Sequence, residues 1–355
     1  MILVHYITSS SFYEFFGGNV MRNRRAVSVL ATIVLLGILG IFAKQYLKNR
    51  SMDAREILST RSVTGKDVLL AIRKDNDAIK IITLTNGTQA PMGYHVTYPR
   101  LNGVNTHYEI TSPSGYVVLA LKRVVRQDNK TKAVTYTPYT KGIDSPKLQK
   151  EGLIYLKDKL EKAEHDLDAK KIRSLAYGGK VTSAIPKDVA LTLAIIEHID
   201  PARFNAGTPV EQLVGEVLVI LATNRENAYR YSISKAGARG QFQFMPRTYA
   251  AIDRRYSQAE LIDNFGDGMD NHINAAKATL LLFDSDLSYL PKSHRKFLKK
   301  HPEAMGKYLA AAYNGGPSKA LRSIRKHAGA WEAHVLPETR TYLKEFEAVW
   351  KVLHT

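Results

Sequence analysis

Apolar residues recur along the chain in two different periods, and the change from one to the other divides it. Between 51 and about 140 they come in short runs. Val68-Leu-Leu-Ala-Ile72 and Ile79-Lys-Ile-Ile-Thr-Leu84 are separated by the polar Lys74-Asp-Asn-Asp77, and Asn86-Gly87 closes the second run. A further pair, Tyr116 to Val125 and Ala133 to Thr137, flanks Gln127-Asp-Asn-Lys130. Short apolar and β-branched runs bounded by polar turn residues predict strands, so 51–143 reads as a small β-rich module.

From Ser145 the period becomes helical. Leu153, Leu156, Leu160 and Ala163 share one face of a charged stretch that runs to about Ser174, which predicts an amphipathic connector helix within 144–180. Tyr177-Gly-Gly-Lys180 breaks it. Beyond Pro186, Val189, Leu193 and Ile196 form the stripe of a helix over Asp188 to Ile199. Thr208-Pro-Val-Glu211 then supplies a capping threonine, a first-turn proline and a glutamate three past the cap. The helix it opens carries Val210, Leu213, Val214, Val217, Leu218 and Leu221, and is expected to be buried nearly all round before it runs out at Asn224. Met245-Pro246 opens another helix, and Asn271 to about Leu287 reads as the next. Ala304 to Tyr313 is short and is stopped by Gly315-Gly316-Pro317, and Pro337-Glu338 starts a terminal helix that ends near Trp350. The stretch 184–355 is therefore expected to be all-α.

One run fits neither period. Residues 26–43 carry 18 consecutive uncharged, mostly apolar side chains, long enough to span a bilayer. Arg22, Arg24 and Arg25 precede the run and Lys44, Lys48 and Arg50 follow it. A cleavable signal peptide is the rival reading, but Ile41-Phe42-Ala43 gives no clear small-x-small site. The expectation is a single-pass anchor in the cytoplasmic membrane, with 1–25 cytoplasmic and the rest outside or periplasmic. Met21-Arg-Asn-Arg-Arg25 is an alternative start. The whole is expected to be α+β: a transmembrane helix, a β-rich module, then an all-α body.

A formal charge of +18 and a pI near 9.7 imply an anionic partner. The basic residues are spread without an aromatic-interleaved stripe, zinc-finger spacing or RRM motif, which argues against nucleic acid and leaves an anionic membrane surface as one expected partner. With no cysteine, the chain has no disulfide, thiolate nucleophile or cysteine-ligated metal. The 11 histidines show no HExxH. Asp263-Asn-Phe-Gly-Asp-Gly-Met-Asp270 resembles a calcium loop, but Asn274 stands where an EF-hand needs a bidentate glutamate, so a polar helix start is expected there. No metal and no cofactor is expected, and no phosphate-binding glycine loop is present.

The chemistry concentrates in Ser234-Lys-Ala-Gly-Ala-Arg-Gly-Gln-Phe-Gln-Phe-Met-Pro-Arg-Thr248. Gly237 and Gly240, three apart between two helices, mark backbone at positive φ or in close approach. Ala312-Tyr313-Asn314-Gly315-Gly316 and Glu338-Thr-Arg-Thr-Tyr342 follow in order. Together the three blocks resemble the signatures of the SLT-type lytic transglycosylases, goose-lysozyme-like enzymes that cut bacterial peptidoglycan. Gln241-Phe242 stands in place of the family's Leu-Met. The resemblance covers about the last 170 residues and implies a lysozyme-like fold with a groove.

It also implies one glutamate that works twice, first as an acid and then as a base, so that MurNAc closes a 1,6-anhydro ring without water. Two residues fit. Glu226 has nearly the family's spacing to Ser234, whereas Glu197 is followed by the family's Asp200-Pro201 but needs an inserted helix before the glycine loop. Neither is followed by the family's serine: His198 and Asn227 stand there. By position, the resemblance makes Ser234, Gly237, Ala238 and Gly240 the loop beside the acid, and Gln243 a ligand of sugar or acid. It places Tyr313 and Asn314 along the groove, with Glu338 and Tyr342 packing the last helix against it. A hydrolytic muramidase on the same frame, or a silent peptidoglycan-binding scaffold, is the alternative.

Overall fold

The computed structural model describes residues 50, 54–59, 67–85, 89–97, 107–127 and 130–354. β1 (Asp67–Arg73) and β2 (Ile79–Leu84) form an antiparallel hairpin with Ile72 opposite Ile79 and Leu69 opposite Ile82. Its turn is closed by Asp77 at φ 57° and by the Asn76 side chain, which accepts from the Ala78 N–H. β3 (His95–Thr97) and β4 (Glu109–Ser112) pair separately, while β5 (Tyr116–Gln127) and β6 (Lys130–Tyr136) complete a four-stranded sheet of order β2-β1-β5-β6. The expected turn at Asn86-Gly87 lies outside the described residues.

Eleven named helices follow: α1 (Pro146–Ala169), α2 (Lys187–Ile196), α3 (Pro201–Asn205), α4 (Val210–Asn224), α5 (Pro246–Arg255) and α6 (Phe265–Asp270) come first. Then come α7 (His272–Ser288), α8 (Lys292–Lys300), α9 (Pro302–Gly315), α10 (Pro317–His327) and α11 (Pro337–His354), with a 3₁₀ segment at Ala328–His334 before the last. Side-chain caps fall where short polar residues precede helices. Ser145 accepts from Leu148 N–H, Asp200 from Ala202, Asn264 from Asp267 and Asn271 from Ile273. Thr208 does not do this. Pro209 occupies the cap of α4 with no side-chain bond, and the Thr208 N–H instead donates to the Arg203 carbonyl in the turn that ends α3.

The sheet and the helices share a core. Along β1 and β5 the alternation sends Leu70, Ile72, Val117 and Leu119 into the cluster that holds the apolar faces of α1, α2, α4, α7 and α9. The opposite face carries Leu69, Ala71, Val118 and Leu121 and is covered by Val96, Tyr108 and Ile110 from the small β3-β4 sheet. The strands all fall within 51–143 and the elements of 184–355 are all helical, and the two pack as parts of one compact unit.

The described residues do not carry the membrane-spanning helix of the expected fold class. Among the described residues no helix is long and apolar enough to cross a membrane, and the 26–43 run lies outside them. The reason shows in the longest helix. α1 has 24 residues but only one apolar stripe, with Leu156, Leu160, Ala163 and Leu167 inward and Lys150, Lys157, Glu161 and Lys162 outward. The architecture described is α+β with a small sheet.

α1 and α4 pack at close range. A Cβ added to Gly152 would sit 1.9 Å from the Leu218 carbonyl oxygen, so the two backbones touch where the side chain is missing. Gly152→Ala must push them apart, and overpacking of this kind costs about 1–3 kcal/mol. Chemical denaturation should show that loss. A variant as stable as the wild type would mean that the pair does not pack at this glycine.

Candidate functional site

Every residue of α2 from Val189 to Ile196 is buried, and Glu197 is the first polar side chain after them, at the C-cap. The apolar run therefore ends by delivering a carboxyl to the edge of the core. The Tyr342 hydroxyl, only 7% exposed on α11, donates to Glu197 Oε1 at 2.5 Å. Burial raises the Glu197 carboxyl to about 7; the Tyr342 hydrogen bond opposes that rise and the nearby Glu345 adds to it. A carboxylic acid that keeps its proton near neutral pH can donate it.

The glycine stretch packs beside this carboxyl. Its turn is closed by Ser234, whose N–H donates to the Ala238 carbonyl and whose hydroxyl accepts from the Ala238 N–H. Gly237 and Gly240 have φ of 89° and 77°, and a Cβ on Gly240 would come within 2.7 Å of the Met269 carbonyl oxygen, so positive φ and close approach both require glycine there. Three bonds clamp the loop to the helices. The buried Gln241 amide donates to the Ala194 carbonyl on α2, His198 Nε2 meets the Gln241 carbonyl at 2.9 Å, and the Tyr313 hydroxyl donates to the Phe242 carbonyl. Gln243 Nε2 donates to the Gly240 carbonyl at 2.8 Å.

Glu197, His198, Tyr229, Ser232 and Gln243 share a cavity of about 100 Å³. Ligand pockets start at roughly 300 Å³, so this is a recess around the acid, and a larger substrate has to lie across its mouth. Three residues of its wall have no counterpart in the sequence reading. Glu216 accepts from both Arg203 guanidinium nitrogens at 2.5 and 2.8 Å, and His107 Nε2 lies 3.3 Å from it. His107 comes from the stretch before β4, lies tilted against Tyr139 with ring centroids 4.6 Å apart and is kept neutral by burial, its value pushed down to about 4. Glu216 had left one trace: it is a lone carboxylate inside the apolar run of 213–222. His107 had left none, because its place depends on how the sheet docks.

Of the other expected site residues, some join the acid and some do not. Tyr313 stands close enough for the Glu197 charge to hold its hydroxyl further above the ordinary range that burial already imposes. Ser234, Gly237, Ala238 and Gly240 shape the loop but do not line the cavity. Asn314 is exposed and accepts from Thr339 Oγ1 at 2.7 Å, so the docking contact of α11 comes from Thr339 while Glu338 points to solvent. His198, standing where the family has serine, stacks on Tyr229 with ring centroids 3.5 Å apart.

Glu226 is elsewhere. It lies on the 3₁₀ turn after α4, two-thirds exposed, and pairs with Lys159 at 2.9 Å. Burial would raise its carboxyl, but the Lys159 hydrogen bond and charge outweigh that and hold it below the ordinary value, so it stays ionised. The Asp263–Asp270 stretch is a pair of helix starts, with Asn264 and Asn271 as caps and Asp270 held by Arg230 at 3.1 Å.

No protein-family model, curated protein or solved structure matches the chain.

Two outcomes follow from the acid's surroundings. A carboxyl that titrates at about 4.5 in the unfolded chain and about 7 in the folded one makes the folded state bind the extra proton. Its contribution to stability is therefore intact below roughly pH 4.5 and lost as pH rises to about 7, by up to about 3 kcal/mol. Glu197→Gln should flatten that part of the curve of unfolding free energy against pH, and an unchanged curve would show that the group titrates normally. Tyr342→Phe removes a bond that favours the ionised form, so the Glu197 titration followed by carboxyl-labelled NMR should move upward. A downward move would contradict the assigned geometry.

Proposed function

We propose that the chain is a peptidoglycan lytic transglycosylase in which Glu197 is the acid and the base. The observation that carries this reading is the Glu197 carboxyl itself, half-buried at the end of an apolar helix, raised to about 7 by its loss of solvent and held by Tyr342. The motif blocks that resemble the transglycosylase signatures supply its surroundings: Tyr342 on the carboxyl, Tyr313 on the loop, and Gln243 in the recess.

In the first step Glu197 gives its proton to the glycosidic oxygen as the bond from MurNAc C1 breaks, and the GlcNAc hydroxyl leaves. The carboxylate then takes the proton of the MurNAc 6-hydroxyl while that oxygen bonds to C1. Glu197 ends protonated and the sugar ends as the 1,6-anhydro form, so no water is consumed. The hydrolytic alternative needs a second carboxylate to activate water. Of the other carboxyls near Glu197, Glu216 is held across the recess by Arg203, and Glu345 is 2% exposed and raised to about 7 by burial, with Asp200 adding to the rise. A neutral group shut away from solvent is poorly suited to that task, which favours the intramolecular attack. Such a substrate also places the body outside the cytoplasmic membrane.

On purified sacculi, Glu197→Gln should lower clearing by about 100-fold or more, the range for loss of a general acid. Glu226→Gln should leave it near wild type. Mass spectrometry of the products should find anhydro ends. Reducing ends would favour the muramidase, and wild-type protein that pellets with sacculi without clearing them would favour the scaffold. The activity should fall as pH rises through about 7, when the acid loses its proton before the substrate arrives.

A further inference from the structure

A cleft larger than the recess around the acid lies away from it, between α8 on one side and α10 with the 3₁₀ segment on the other. Its volume is about 930 Å³, well within the range of ligand and peptide grooves. Phe297, Leu298, Ile324 and Trp331 form its floor, and the Phe297 ring is 55% exposed over it, stacked on His301.

The two helices that flank the cleft carry nine lysines and arginines and no carboxylate. Lys300 and Arg325 line the cleft itself, and among the described residues neither has an ion-pair partner. The carboxylates of the cleft are Glu303, exposed at the start of α9, and Glu332, which pairs with Lys307. Lys307 is also held by Glu347.

The lining chooses among anionic partners. It contains no serine, threonine, asparagine or glutamine, and its one hydroxyl, on Tyr308, donates to the Asp286 carbonyl. Sugar hydroxyls would therefore find aromatic faces but few neutral hydrogen-bond partners. Apolar side chains with carboxylates beside them would find both the floor and the rim.

We propose that this cleft is a docking site for an amphipathic segment of a partner protein, apolar on one face and acidic on the other. The helix that carries Tyr313, α9, begins at the cleft, so a docked segment would sit on the same helix as the acid's neighbour.

The test is binding to the full chain, read by fluorescence anisotropy, so that it stands or falls independently of wall cutting. The probe is a synthetic amphipathic peptide with glutamates on one helical face and leucines with a single tryptophan on the other. A peptide of the same composition in scrambled order and a soluble anionic polysaccharide serve as competitors. The patterned peptide should bind at least tenfold more tightly than the scrambled one, and more weakly as salt rises. Phe297→Ala and Arg325→Glu should each weaken it about tenfold while the melting temperature and sacculus clearing stay at wild-type levels, since both side chains are exposed. Equal binding of the scrambled peptide, preferential displacement by the polysaccharide, or indifference to both substitutions would overturn the proposal.

Discussion

The hydrogen bond between Tyr342 and Glu197 joins residues 145 apart, and the site depends on it. It can form only if the last helix closes against the end of α2. That closure takes the carboxyl out of water, so the contact that orients the acid also removes its solvent and with it the usual preference for the charged form. The hydroxyl restores part of the lost hydration by donating to one oxygen. A half-buried acid with a single polar partner is therefore held neutral and pointed, which is what a proton donor requires.

The surroundings make that closure rigid. Asp284, wholly buried on α7, accepts from Ser174 Oγ, the Leu175 N–H and Tyr256 Oη, fixing the turn after α1 to the central helix. His272 bridges the Tyr155 hydroxyl and the Ala228 carbonyl, and Asn224 exchanges two bonds with the Thr137 backbone. Each of these polar groups is satisfied inside the core, where an unpaired one would cost about 1–3 kcal/mol. Asn224 also ties the helical body to the strand that precedes α1, which is one reason the sheet does not behave as a separate module.

Much of the local structure was legible. The short apolar runs at 68–72 and 79–84 became β1 and β2, and the helical stripes at 153–163 and 210–221 became α1 and α4. The basic helices α8 and α10 were not, because their apolar content is a single thin stripe and their charges resemble those of a loop. The Thr208 cap failed because the helix starts one residue later than the pattern suggests, so that Pro209, which has no side-chain acceptor, takes the cap position. The two candidate acids had nearly equal support as strings of residues. Exposure beside Lys159 in one case, and burial beneath Tyr342 in the other, set them apart.

The chain's order of side chains by itself determined the period of each segment, the glycine turn at 237–240, and the motif blocks that resemble the transglycosylase signatures, because these depend on neighbours a few residues away. Tertiary structure alone decided which glutamate loses its water, that His107 and Glu216 wall the recess, and that the sheet and helices share a core. Those outcomes rest on contacts between segments a hundred or more residues apart in several cases, and no local pattern encodes the distance between two surfaces before they pack.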